Sequence, residues 1–465
     1  MPHVRIIPTS KFKSADDRLT NQTGRPRVAI IGAGITGLTL AHELAGSGID
    51  AEVFEAGPAI GGELGVVEVN GEPVERFYHH LFLDSPEIQG LMRELGVADR
   101  LTWKTAPMAY FTGGRLFPFN TPWDLLNFSP ISLPARLRMG LAALRLQMVT
   151  DYAKYEDARA ADVLPGLSGR EAFNAVWRPL LEAKFGPHWR SISMAWFWSR
   201  VHVRARSRPR GSLREMLGYI DGSFLELTRA LSISAERKGA RIHLGTPIEG
   251  IDRVRDRVRG VRVGGQTHHA DAVVATVGLP ILRRLLPEHA NWIRIPQIQY
   301  RGALVLLLQL ESQLSRFYWT NVADAAIPFP VLVEHTNLIG PERYGGARLL
   351  YAGSYLDPGH EFFDFSADEL LATYAPAIKR VFPRFATGQV KDLWLSADRV
   401  AQPVITAGYQ RQRPPFATDL SGLYVCNTSQ IYPEDRGTNY NVRLAQECAR
   451  QVAESLQRSR GPRAV

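Results

Sequence analysis

Apolar positions change their period repeatedly along the chain. Residues 28–31 form a continuous apolar run, which predicts a strand buried on both faces. Residues 38–45 carry apolar positions at helical spacing, and 50–54 return to a strand pattern. Further on, 86–95 predicts a helix with Ser85 as its cap. Residues 108–111 and 115–119 flank Gly113-Gly114 as a hairpin would. Helical spacing then marks 133–149. Strands are expected at 241–244, 246–251, 258–263 and 271–276, and Gly278 with Pro280 ends the last. Residues 301–310 and 347–356 predict a second sheet, 367–381 a helix, 422–426 a last strand and 441–456 a last helix. Strands separated by helices predict an α/β chain.

The junction of the first three elements carries recognisable chemistry. Gly32, Gly34 and Gly37 stand in G-x-G-x-x-G spacing between a predicted strand and helix, and Glu55 lies 23 residues beyond Gly32. Gly32 suits the tight turn, Gly34 a close approach of backbone to pyrophosphate, and Gly37 close packing of helix on strand. The helix N-terminus favours phosphate, and an acid at position 55 can accept from a ribose 2′-OH. An acid there argues against a 2′-phosphate but does not separate NAD from FAD.

Composition narrows the rest modestly. The chain has 465 residues, 45% hydrophobic and 22% charged, with a formal charge of +9. That excess suits anionic partners without demanding nucleic acid, and no nucleic-acid module is recognisable. Cys426 and Cys448 make no C-x-x-C, and no ligand spacing suggests a metal. Residues 1–26 are expected to be a mobile arm, and a cytoplasmic protein with a peripheral membrane contact is the expected setting. Two stretches suit that contact. Residues 133–149 place Leu137, Leu141 and Leu144 on one face among Arg136, Arg138 and Arg145, as either a core helix or an interfacial one. Residues 194–214 carry six arginines, 200, 204, 206, 208, 210 and 214, with no acid between them. They form either a solvated face or a site for an anionic headgroup or phosphorylated substrate. His79-His80 is the first concentrated polar chemistry; in an extended segment only one of the two would face a site.

Gly61-Gly62 follow the acid, and with them the chain resembles the FAD-dependent superfamily of amine oxidases, protoporphyrinogen oxidase and phytoene desaturases. Its members often have Arg directly after that pair, where this chain has Glu63. The resemblance implies FAD as cofactor, held by Gly32, Gly34, Gly37, Glu55, Gly61, Gly62 and Ile248. At the C-terminal return it implies Asn427 (where the family has Gly-Asp) and Gly437, Thr438 and Asn439 at a helix start. It implies an α/β fold: a Rossmann-like FAD-binding domain from 27–100, 220–295 and 411–460, with a discontinuous mixed α+β substrate domain from 101–219 and 296–410. Residues 390–409 resemble the return crossing, with Trp394, Pro403 and Tyr409 near it. The implied activity is hydride transfer from an organic substrate to flavin N5, as oxidase, dehydrogenase or desaturase. The alternatives are a UDP-galactopyranose mutase-like isomerase and a non-catalytic flavin-binding protein. His79, His80, Arg436 and Tyr440 are the catalytic candidates; pairing of Arg436 with Glu434 and Asp435 is the plain structural alternative. Lipid, isoprenoid and nucleotide-sugar substrates all stay open, as does the oligomeric state.

Overall fold

The computed structural model describes residues 24–209, 211–212, 214–286 and 293–459. Most of the expected N-terminal arm, residues 1–23, and Arg210 lie outside the described residues. Five parallel strands form the first sheet, in the order Arg241–His243, Asp50–Phe54, Arg27–Ile31, Ala272–Ala275, Leu423–Val425. They come from three distant parts of the chain. The central strands, Arg27–Ile31 and Ala272–Ala275, are the most continuously apolar because both faces of the sheet are covered. Val28 and Ile30 face the core shared with Ile35–Gly46, while Ala29 and Ile31 face a second core with Leu279, Leu282 and Trp196. Helix Thr438–Ser459 packs along Ile35–Gly46, so the last element of the chain lies against the first helix.

A second, seven-stranded sheet runs Val390–Pro403, Tyr300–Leu310, Arg348–Leu356, Val331–Glu334, Trp319–Val322, Met108–Thr112, Arg115–Pro118. It is antiparallel except where Trp319–Val322 pairs with Met108–Thr112. Tyr300–Leu310 shows why its sequence is almost wholly apolar. Leu304, Leu306, Leu308 and Leu310 meet Leu370, Tyr374 and Ile378 of helix Ala367–Val381. Ala303, Val305 and Leu307 point the other way, into the main core. Helices Leu133–Met148, Ala160–Ser168, Arg178–Phe185 and Met194–Arg206 complete this half of the molecule.

Several expectations change at their edges. Helix Pro86–Glu94 forms, but the Ser85 side chain makes no capping bond; Asn439 Oδ1 accepts from Ile88 N instead, at 3.0 Å. The strand expected at 246–251 begins only at Gly250, because residues 246–249 follow the Glu55 loop, with Thr246 N donating to Glu55 O at 2.7 Å. The last helix starts at Thr438, three residues before the apolar periodicity begins.

Candidate active site

The glycine loop is built by close backbone contact. A Cβ on Gly37 would lie 1.9 Å from Gly32 O, so the helix could not start so near the strand with any other residue there. Gly61 (φ +115°) bridges to Gly34 and donates to Ala33 O at 2.8 Å. A Cβ on Gly62 would sit 3.2 Å from Gly34 Cα. The two glycine pairs thus form one cradle with no side chains on its floor. Glu55 closes it: its Oε2 accepts from Ala33 N and its Oε1 from Gly57 N, both at 2.8 Å. Each oxygen keeps a second lone pair, so the carboxylate can still accept from a ribose hydroxyl.

From this cradle a cavity of about 1280 Å³ runs through the molecule. It exceeds the ~300–1,000 Å³ of an ordinary small-molecule pocket, so it has room for a dinucleotide and a second, elongated molecule. Gly32, Gly34, Glu55, Gly61 and Gly62 line one end, and Gly437, Thr438 and Asn439 flank it. The middle is walled by Tyr78, His79, His80, Trp319, Tyr355 and Arg436. The far end is apolar, with Pro122, Leu125, Met139, Ala143 and Leu144.

The charged groups of the middle are paired differently from the expectation. Arg436 does not pair with Glu434, which takes Arg443 at 3.0 Å, and Asp435 makes its ion pairs with Lys184 and with Arg200 at 3.6 Å. Arg436 Nη1 donates to both oxygens of Glu63, at 2.5 and 2.6 Å. Glu63, the departure from the resembled family, is therefore the counter-charge that lets Arg436 be buried. Against the cost of its burial, Asp435 is held down at about 2 by Lys184 and Arg200. Burial pushes the Tyr355 hydroxyl up, and Lys184 and Arg436 more than offset it, so its proton is held less tightly than an ordinary tyrosine's.

Both histidines line the cavity, contrary to the expectation that one would turn away. Residues 78–80 are irregular rather than extended, so neighbouring side chains need not alternate. His79 Nδ1 lies 2.6 Å from Phe77 O and His80 Nδ1 3.3 Å from the Tyr318 hydroxyl. Burial lowers their pKa values to about 4 and about 3, with nearby Arg436 and Arg204 respectively adding to it. Both rings are neutral at pH 7 and weak as general bases; they are better suited to hydrogen bonding. Tyr440 lines the cavity too, under the Arg443 guanidinium at 5.1 Å.

Two cofactor candidates lie outside the cavity lining, and a third lines it with its side chain already engaged. Asn427 is buried and outside the cavity lining; its side chain accepts from Ser429 and donates to Val277 O, leaving Thr428 to face the cavity. A short amide at the strand end caps the following turn rather than reaching a ligand. Ile248 packs in the second core and does not line the cavity. Asn439 lines it, yet its side chain is tied to Glu87 and Ile88 N. Glu75 escaped notice: fully buried, it accepts from the Tyr219 hydroxyl and Phe224 N, both at 2.7 Å. It thereby pins the 221–224 turn, and burial raises its pKa. Residues 72–77 read EPVERF, so nothing in the sequence set Glu75 apart from Glu72.

A parallel sheet, a glycine cradle at its strand ends and an acid closing that cradle define a dinucleotide-binding oxidoreductase. The chain belongs to the flavin containing amine oxidoreductase family, whose model matches residues 35–434. It is similar to zeta-carotene desaturase of Synechocystis sp., at 24% identity over 87% of this chain and 93% of that protein. Among solved structures it resembles an oxidoreductase from Methanosarcina mazei (TM-score 0.68, 16% identity, 91% of this chain and 100% of that one). It also resembles reduced UDP-galactopyranose mutase (TM-score 0.69, 14% identity, 92% of this chain and 96% of that one). The protein is an FAD-dependent oxidoreductase acting on a small organic substrate.

Proposed function

We propose that the protein oxidises or desaturates an elongated, largely apolar substrate that enters from a lipid surface. One observation carries this reading: a single cavity is lined both by the glycine cradle and by apolar residues of helices Pro122–Leu126 and Leu133–Met148, and the same two helices carry exposed hydrophobic side chains. Trp123 is 70% exposed, Leu144 58% and Met148 80%. Apolar patches of this kind on a protein surface mark contact sites. The similarity to a carotene desaturase agrees with a long apolar substrate.

Gly32, Gly34, Gly61, Gly62 and Glu55 would hold the dinucleotide, with Gly37 keeping the helix N-terminus close, and Gly437 and Thr438 would flank it. The side-chain-free floor fits such a group, since any Cβ at Gly62 would crowd Gly34. Bound FAD supplies the two-electron acceptor. His79 and His80, uncharged, would orient substrate beside Trp319 and Tyr440 without adding charge. The Arg436–Glu63 pair would keep a fixed cation beside Tyr355. The proposed two-domain division sets 27–100, 220–295 and 411–460, which hold the parallel sheet, against 101–219 and 296–410, which hold the seven-stranded sheet; a third sheet, of Leu81–Phe82, Met216–Ile220 and Leu101–Thr105, straddles it.

The test is anaerobic. Purified holoprotein is mixed with isoprenoids, lipids, amines and nucleotide sugars, and the oxidised-flavin absorbance is followed. Bleaching by a long apolar compound, with a more oxidised product recovered, is expected. Bleaching only by amines or nucleotide sugars would overturn the apolar-substrate reading.

A further inference from the structure

Tyr355, Ala303 and Asp398 stand side by side on three neighbouring strands of the seven-stranded sheet, Arg348–Leu356, Tyr300–Leu310 and Val390–Pro403. Directly opposed residues share a face, and Ala303 faces the main core, so Tyr355 and Asp398 face that side too. Both line the cavity. Two strand spacings, about 10 Å, separate them, and the residue between them in the row carries only a methyl group. The sheet is bulged at this row. Arg301 pairs with Gln402 and Ala303 with Asp398, so Arg399, Val400 and Ala401 together oppose the single Gly302. A Cβ on Gly302 would lie 3.0 Å from Asp398 O and from Arg399 Cα, so the bulge packs against a residue without a side chain. Bulges re-aim side chains. Residues 397–401 all line the cavity, where a flat strand would present only alternate positions.

Five acids line the cavity, and four of them are held by fixed partners. Glu55 accepts from two backbone N–H groups, Glu63 pairs with Arg436, Glu215 with Arg204, and Asp435 with Lys184 and Arg200. Asp398 is the exception. Its Oδ1 accepts from Val400 N at 2.7 Å, and among the described residues no hydrogen bond or ion pair reaches Oδ2. Glu63, Arg76 and Arg436 are the charged groups around it, and Tyr300 is the neighbouring phenol. Burial pushes the Asp398 carboxyl above its ordinary 3.8, and Glu63 adds to that; Val400 N–H, Arg436 and Arg76 pull it back only in part. A raised pKa makes the carboxylate a stronger base. His79 and His80 move the opposite way, to about 4 and about 3.

We infer that Asp398 is the base that takes the proton the substrate loses alongside its hydride. This rests on the oxidoreductase reading above and adds a catalytic residue to it. Forming a double bond breaks two bonds to hydrogen. One hydrogen leaves as hydride with both electrons, for which bound FAD is the acceptor. The other leaves as a proton: its bonding pair stays behind as the new π bond, and the proton forms an O–H bond at Asp398 Oδ2. Half-buried Asp398 lies between exposed Ala397 and Arg399, so the proton has a short way to water.

The experiment follows anaerobic bleaching of the holoprotein across pH with two isoprenoid probes, geranylgeraniol, which loses its proton from O–H, and squalene, which loses it from C–H. The wild-type rate at saturating probe should fall as acid protonates Asp398. Asp398→Asn should slow bleaching by about a hundredfold or more and abolish that acid limb. Probe Kd, flavin content and Tm should stay unchanged, because the amide oxygen still accepts from Val400 N. Asp398→Glu, which keeps the carboxylate, should recover part of the rate and the limb. A second readout needs no turnover. In protein labelled with 13C at its aspartate carboxyls, the resonance missing from Asp398→Asn should titrate above 3.8, with the midpoint of the acid limb. An Asp398→Asn rate within about threefold of wild type, or an acid limb that survives the change, overturns the inference and leaves the oxidoreductase reading standing. Weakened probe binding at an unchanged rate also overturns it, since Asp398 would then hold substrate rather than take its proton. If neither probe bleaches the wild-type flavin, the apolar-substrate oxidoreductase reading falls, and the base falls with it.

Discussion

Glu63 shows how one carboxylate organises a site. Arg436 can be buried, at 18% side-chain exposure, because Glu63 offers it both carboxylate oxygens. Removing one partner of a fully buried pair costs about 3–5 kcal/mol. Glu63 keeps 31% of its side chain accessible, so Glu63→Gln should cost less, roughly 2 kcal/mol, in denaturant unfolding. A Glu63→Gln/Arg436→Gln double variant should lose less than the two singles added together; strict additivity would mean the pair contributes nothing. The histidines make a pH prediction. Their folded pKa values, about 4 and about 3, lie below the ordinary 6.5, so the unfolded chain takes up protons first as pH falls. Their contribution is fully present above pH 6.5 and is lost progressively towards pH 4 and 3. Each histidine should add about 1.4 kcal/mol per pH unit to the slope within that window. Unfolding titrations of wild type against His79→Gln and His80→Gln isolate the effect; identical slopes would refute it.

Elements were legible in the sequence where one period ran uninterrupted. Ala367–Val381 and Asp50–Phe54 fall where their patterns place them, since each buries one continuous face or run. Legibility failed where a side chain's partner is distant in sequence. Arg200 and Arg204 of Met194–Arg206 stayed open between a solvated face and an anion site because the cavity they line is made by residues from all over the chain; Arg206 stays exposed beside Asp84. Asn427 read as a ligand-binding residue because its capping bonds to Ser429 and Val277 need the fold to be seen. Helix Leu133–Met148 is the clearest case of a pattern with two meanings. Its leucines had suited a core or an interface. Ala135, Met139, Ala142 and Leu146 are the buried positions, and Leu133, Leu137, Leu141, Leu144 and Met148 stand exposed. No helix among the described residues is long and apolar enough to cross a membrane, so lipid contact by this helix would be peripheral. Leu137→Glu/Leu141→Glu should abolish flotation with anionic vesicles while changing stability by less than about 1 kcal/mol, since both side chains are exposed. Flotation that survives the double change would locate lipid contact elsewhere.

At the scale of the molecule, the cradle and the sheet are one cooperative object. The parallel sheet takes strands from three distant stretches, and the helix that ends the chain packs on the helix that follows the glycines. No single stretch holds the cradle by itself, so cofactor binding should act on the stability of the whole fold. A ligand at one hundred times its Kd stabilises the folded state by about 2.7 kcal/mol. FAD should therefore raise Tm in proportion to the logarithm of its concentration, with far-UV and near-UV signals melting together. Glu55 connects the two effects. Its carboxylate accepts from Ala33 N and Gly57 N within the loop and retains lone pairs for a ribose. In Glu55→Gln the amide nitrogen must face one of those N–H groups, leaving it unpaired. The variant should lower Tm without FAD, and should also weaken FAD binding by about tenfold or more, the value of a hydrogen bond to a charged group. Titration of both apoproteins with FAD, followed by flavin fluorescence quenching and by Tm, separates the two losses. A variant with reduced apoprotein Tm but unchanged FAD affinity would confine Glu55 to holding the loop.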